Sequence, residues 1–126
     1  MCVDIEIEIM VLEGALDATV SVDGRGGQTV AFAFTVRNAG SEPIELQFSD
    51  TAKAEFVVQE EGREVWRFTD GRAFAQVIGS ERLAPDETAT YDEEWTDPEP
   101  GSYTVVAELR AQTEHCEART DLTVPS

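Results

Sequence analysis

Val30-Ala31-Phe32-Ala33-Phe34-Thr35-Val36 carries a large apolar side chain at every second position. Successive side chains of a β-strand point to opposite faces, so Val30, Phe32, Phe34 and Val36 share one face. It is the most apolar strand face in the chain and calls for a second sheet to cover it. No stretch of the sequence holds a helical period.

The same alternation extends in both directions. Towards the start, Val3, Ile5, Ile7, Ile9 and Val11 alternate with Asp4, Glu6, Glu8 and Met10, and Ala18, Val20 and Val22 follow in the same manner. Asp23-Gly24-Arg25-Gly26-Gly27 reads as a turn, because glycine reaches positive φ at no steric cost. Beyond Val36 the stretch Asn38 to Pro43 breaks the pattern, and Ile44, Leu46 and Phe48 resume it. Phe56 to Gln59 and Val65 to Phe68 flank Glu61-Gly62 and predict a hairpin. Asp70-Gly71 predicts a further turn, and Phe74 to Ile78 a short strand. Leu83 to Glu87 is a proline corner. Ala89, Tyr91, Glu93 and Trp95 share one strand face. After the bend Asp97 to Gly101, so do Tyr103, Val105, Ala107 and Leu109, and finally Cys116, Ala118, Leu122 and Val124. About nine short strands separated by turn signals predict an all-β chain, an immunoglobulin-like two-sheet antiparallel β-sandwich. A closed barrel is the alternative. With 126 residues and neither repeat nor linker, one domain spanning 1–126 is expected.

Composition narrows the function classes. A hydrophobic fraction of 41% excludes a disordered acidic tail. The 26 acidic residues against nine basic ones give a formal charge of −17, and Lys53 is the only lysine. Such a surface repels nucleic acid and anionic lipid, so neither is an expected partner. The acid is spread along the chain rather than clustered, which reads as adaptation to a salty, halophilic host rather than as a site for a basic partner. No apolar run is long enough for a membrane span. The opening Met1 to Glu6 lacks the basic and apolar regions of a secretory signal, which leads to the expectation of a cytoplasmic protein.

Several segments carry a family likeness. Asn38 to Phe48, Val65-Trp66-Arg67-Phe68-Thr69-Asp70-Gly71 and Phe74-Ala75-Gln76 resemble, in order and spacing, the BsuPI family of intracellular proteinase inhibitors. So do Leu83 to Thr88, Tyr91 to Trp95 and Pro100 to Val105, giving a likeness over roughly 30–112 that leaves Met1 to Gln28 outside. After the Phe48-like position the chain departs from the family pattern, with Asp50 to Phe56 losing an aromatic and Glu55 standing for its acid. The resemblance implies an immunoglobulin-like sandwich in the cytoplasm and inhibition of an intracellular subtilisin-type serine protease. It carries no inhibitory residue onto a particular position.

The residues themselves argue against catalysis. The only histidine, His115, has polar alternation neighbours and is expected to face solvent, leaving no base for a serine triad. Glu93-Glu94 and Glu60-Glu61 are adjacent on strands and point to opposite faces, so neither forms a converging carboxylate pair. Two cysteines and one histidine lack metal-ligand spacing, the calcium-loop pattern is absent, and no helix follows the glycines at 24–27 to hold phosphate. No cofactor or metal is expected. Cys116 shares its face with apolar residues and should be buried, whereas Cys2 shares parity with Asp4, Glu6 and Glu8, so a disulfide between them is not expected. Trp66, Phe68 and Trp95 are expected in the core, and Tyr103 is expected to pin a corner through its hydroxyl. Asp70, Gly71, Arg72 and Phe74, with Arg72 and Phe74 projecting outward, are the candidate partner-binding residues, and Asp50 to Ala54 forms a second candidate loop.

Two functions from different classes remain. One is an inhibitor that presents a rigid loop to a protease cleft. The other is a generic immunoglobulin-like interaction domain with a non-protease partner, engaged through a sheet edge. Asp4, Glu6 and Glu8 on an edge argue for a monomer. The charge excess carries a direct test: the fold is expected to melt at lower temperature in dilute buffer than in molar salt. Identical melting curves across that range would remove the salty-host reading.

Overall fold

The structure is a computed structural model that describes residues 12–22, 24, 26–112 and 114–125. The expected strand at Val3 to Val11, the orientation of Cys2, the edge charges Asp4, Glu6 and Glu8, and part of the turn at 23–27 lie outside these residues.

Every regular element among the described residues is a strand: β1 (Leu12–Val22), β2 (Gln28–Asn38), β3 (Ile44–Phe48), β4 (Ala54–Glu60), β5 (Arg63–Arg67), β6 (Gly79–Leu83), β7 (Thr88–Thr96), β8 (Gly101–Leu109) and β9 (Glu117–Val124). All pairings are antiparallel, and no sheet closes on itself, so the architecture is a β-sandwich and not the barrel. One sheet has the order β1-β2-β7 and another the order β5-β4-β8-β9. The ribbon β3-β6 completes the fold and meets β7 where Phe48 and Tyr91 pack at 6.5 Å.

The faces follow the alternation. Val30, Phe32, Phe34 and Val36 are buried on β2, and Ala31, Thr35 and Arg37 on the opposite parity are not. Phe32 stacks on Phe56 of β4 at 5.5 Å, and Phe34 meets Phe56 edge-on at 6.4 Å. From Phe32 the aromatic contacts continue through Trp66 at 5.9 Å and Trp95 at 5.8 Å to Tyr103 at 5.2 Å. Trp95 and Phe68 are buried as expected, and Trp66 is half-buried against the same core. Burial of each such aromatic is worth roughly 1.5–3 kcal/mol, so this row joins the two large sheets firmly. Tyr103 donates its hydroxyl to the Glu99 carbonyl at 2.6 Å and pins the bend before β8. Cys116 is a buried free thiol, as its parity predicts, and burial pushes its pKa up.

Turn chemistry also holds. The β4–β5 hairpin closes through Glu61 (φ 51°) and Gly62 (φ 82°), the two left-handed positions of a type I′ turn. At the other end of the sandwich Asn38 is fully buried and fully engaged. Its side-chain amide donates to the Glu42 carbonyl at 2.8 Å and the Leu83 carbonyl at 3.0 Å, and its oxygen accepts from the Gly40 amide at 2.9 Å. That one side chain ties the end of β2 to the end of β6.

The sequence pattern misplaced one strand. Phe74 to Ile78 forms none; the strand is β6, which begins at Gly79 and pairs Leu83 to Gly79 with Ile44 to Phe48. Val77 and Ile78 are 59% and 82% exposed, so the apolar content there reflects no buried face.

One core-facing position on β7 carries a charge. Glu93 lies between Tyr91 and Trp95 in the inward register and is half-buried. Burial raises its pKa, Asp92 and Glu94 add to the rise, and the Arg72 guanidinium opposes it. A carboxyl whose pKa is higher folded than unfolded disfavours the fold once it ionises, so its cost appears as pH climbs through the window above about 4.3. Glu93→Gln is therefore expected to raise the melting temperature at pH 7, with the gain shrinking as the pH falls towards 4. An equal shift at both pH values would contradict this origin.

Candidate functional site

The chain leaving β5 is fastened residue by residue. Phe68 donates its backbone amide to the Phe56 carbonyl at 2.9 Å, extending the β4–β5 ladder one step, and its ring meets Phe56 edge-on at 6.2 Å. The next residue meets a buried carboxylate. Glu55 Oε1 accepts the Thr69 amide at 3.2 Å and the Phe56 amide at 3.1 Å, while Oε2 accepts the Thr69 hydroxyl and Arg67 Nη1 at 3.1 Å. Glu55 is only 6% exposed, yet every approach to it is satisfied, which is the condition under which a buried charge is tolerated. Arg67 also binds Glu64 through two hydrogen bonds, at 2.8 and 3.2 Å, so its guanidinium is fixed between two carboxylates and its pKa is raised.

Two overlapping turns follow. The Asp70 backbone amide donates to the Arg67 carbonyl at 3.1 Å, and the Arg72 backbone amide donates to the Thr69 carbonyl at 3.3 Å. Gly71 supplies the positive φ of 73° that the reversal requires. The predicted Asp70, Gly71 and Arg72 are exposed. The Arg72 guanidinium carbon lies 4.6 Å from the centre of the Phe68 ring, a cation–π arrangement that folds the side chain back along the surface. Phe74 is half-buried and packs on Phe68 at 5.7 Å, so it anchors the segment rather than projecting from it.

The second candidate loop lies alongside. Thr51 donates its amide to the Ala75 carbonyl at 3.1 Å, which joins Asp50 to Ala54 to the segment after Gly71. Asp50 Oδ1 accepts the Ala52 amide at 3.0 Å and Arg110 Nη1 at 2.8 Å, and Arg110 Nη1 also reaches the Ala52 carbonyl at 2.6 Å. Lys53 pairs with Glu81, whose other oxygen accepts the Tyr91 hydroxyl at 2.9 Å. Desolvation and the Glu81 carboxylate raise the Tyr91 pKa. Two loops separated in sequence thus form one surface, held by ion pairs on the β3, β6 and β8 side and by aromatic packing on the β5 side.

Beyond this surface, a groove of about 660 Å³ lies over Ala33 on β2, with Asp17, Asp92, Glu93, Glu94 and Arg72 among its walls. It gathers carboxylates but no nucleophile with a base. His115 is exposed, and among the described residues no three metal-ligating side chains converge. Glu93 and Glu94 both border the groove, but as adjacent strand residues they leave β7 on opposite faces, one half-buried and one exposed. Sequence reasoning gives Glu55 only as the stand-in for the family's acid and not as a clamp. Its signal was a lone carboxylate in the apolar run Ala54 to Val58, followed fourteen positions later by a threonine that binds it.

Solved structures share the architecture. A Bordetella pertussis protein described as ApaA matches at 19% identity with a TM-score of 0.56, over 90% of this chain and 94% of that one. Spo0M, a sporulation control protein of Bacillus subtilis, matches at 15% identity with a TM-score of 0.50, over 90% of this chain and 49% of that one. β-Glucuronidase 2 of Bacteroides uniformis matches at 14% identity with a TM-score of 0.51, over 90% of this chain. The chain spans only 14% of that enzyme, and at these identities the likeness concerns the fold alone. No curated protein matches in sequence. The sequence model of the intracellular proteinase inhibitors, BsuPI, matches residues 15–114, a span that runs from β1 past β8 and includes both loops of the surface described above, and the chain belongs to that family.

Proposed function

We propose that the protein inhibits an intracellular serine protease of the subtilisin type, and that the surface formed by Thr69 to Ile78 with Asp50 to Ala54 makes the contact. Asp70, Gly71, Arg72 and Phe74 belong to that surface, the first three as exposed contacts and Phe74 as the anchor beneath them. The observation that carries this reading is the immobilised exit from β5. A proteinase inhibitor must offer its target a segment whose conformation costs little to fix, because ordering a loose loop consumes binding free energy. Glu55, Phe68 and the Thr51–Ala75 hydrogen bond supply that order before any partner arrives. The carboxylate excess supports placing the encounter in a salt-rich interior, where long-range repulsion between acidic surfaces is screened.

The reading is tested by titrating subtilisin with the pure protein in molar salt. Stoichiometric loss of activity is expected; cleavage of the protein, or no effect, favours a generic interaction domain instead. Removing the clamp should weaken both fold and inhibition. Glu55→Ala removes the acceptor of the Phe56 and Thr69 amides and the Thr69 hydroxyl and leaves Arg67 with Glu64 alone, with an expected cost of about 2–4 kcal/mol by chemical denaturation. At temperatures where the variant remains folded, its inhibition constant should be at least about tenfold weaker than that of the unaltered protein. Unchanged inhibition would detach the clamp from function.

A further inference from the structure

We infer that Val77 and Ile78 are the residues this surface inserts into the protease, with Ile78 entering an apolar specificity pocket. The inference rests on the inhibitor reading above and adds the contact residues and the chemistry of the cleft.

Residues 72–78 run without a turn, a bend or a strand pairing, between the tight turn at Gly71 and the start of β6 at Gly79. Both ends are held. Upstream, Phe74 is packed on Phe68 and the Ala75 carbonyl is bonded to Thr51. Downstream, Gly79 pairs with Phe48. Between the anchors Val77 is 59% exposed and Ile78 is 82% exposed. A strand with one buried face would hide one of two neighbours; here both branched side chains stand in water. Proteases bind substrates as extended chains and read individual side chains in pockets, so a short unpaired segment fixed at both ends has the form the cleft receives.

Charge points the same way. Residues 71–80 contain no acidic side chain and one basic one, Arg72, in a chain with 26 acidic residues. The longer acid-free run at 24–41 is accounted for by the buried central strand β2, whereas most of 71–80 is exposed. The acid-free, aliphatic patch thus marks where the carboxylate coat is interrupted, and dry aliphatic contact is what an apolar specificity pocket offers. A pocket that demands a cation, as in trypsin, would leave its acidic group unpaired against Ile78.

The test compares the full chain with the double substitution Val77→Asp and Ile78→Asp, and with Val22→Asp as a control at another exposed valine, 64% exposed at the end of β1. All three are assayed against subtilisin in molar salt, with thermal melting to confirm folding, and the unaltered chain is assayed against trypsin as well. The expected result is a loss of inhibition of at least about 30-fold in the double variant, no loss in the control, and weaker inhibition of trypsin than of subtilisin. A folded double variant that inhibits like the unaltered chain overturns the inference while leaving the inhibitor reading intact. Trypsin inhibited as strongly as subtilisin overturns the apolar-pocket assignment. An unaltered chain that inhibits neither enzyme takes both readings down together.

Discussion

Phe56 stands across from both Phe32 and Phe34 and is the ring that the two share. Tyr91 of β7 flanks Phe34 within the same sheet, but two large rings on one face of β2 still need a second sheet at a fixed distance and register to cover them. β4 supplies it, and the consequences propagate along β4 and β5. With Phe56 facing inward, Glu55 must face the other way, and the hairpin through Glu61-Gly62 then brings Arg67 and Thr69 over its carboxylate. The position of the candidate surface is therefore a consequence of core packing. A displaced Phe56 would move the clamp, and with it the whole segment that leaves β5.

The second support comes from the opposite end of the fold. Asn38 bonds the chain at Glu42, Gly40 and Leu83, and so locates β6 relative to β2. β6 in turn fixes where the segment after Gly71 must return, and Glu81 on it collects Lys53 and Tyr91. The surface is thus bracketed by a buried amide on one side and a buried carboxylate on the other. Buried polar groups of this kind add little net stability when fully paired, but a misregistered chain would leave them unpaired at considerable cost. Their contribution here is to select one arrangement of the loops over others of similar hydrophobic burial.

Where one face of a strand is greasy and the other charged, the alternation was readable directly: β2, β8, the burial of Cys116 and the corner hydroxyl of Tyr103 all follow from parity and turn residues. β6 escaped because Gly79-Ser80-Glu81-Arg82-Leu83 buries only its last residue, so its pairing with β3 leaves almost no hydrophobic trace. Phe74 to Ile78 misled for the converse reason, having apolar content without a buried face. The two candidate loops were visible as turns, but their adjacency depends on a backbone bond between Thr51 and Ala75, and backbone bonds carry no side-chain signature. Glu55 was hidden by parity itself, which assigns it to an outward face without indicating that Arg67 and Thr69 cover that face.

The central strand has a second life before the fold exists. From Gln28 to Val36 the chain is uncharged, β-branched or aromatic at most positions, and free of proline, the composition from which intermolecular cross-β stacks are built. On a nascent chain this segment has β1 available on one side but lacks β7 on the other, because β7 is synthesised some fifty residues later. During that interval electrostatics guards solubility: Arg37 borders the segment, and residues 1–87 carry 17 acidic against seven basic side chains, a net negative charge that keeps one unfinished copy from another. The carboxylates that surround the finished molecule thus also act earlier, as its guard against self-association on the ribosome.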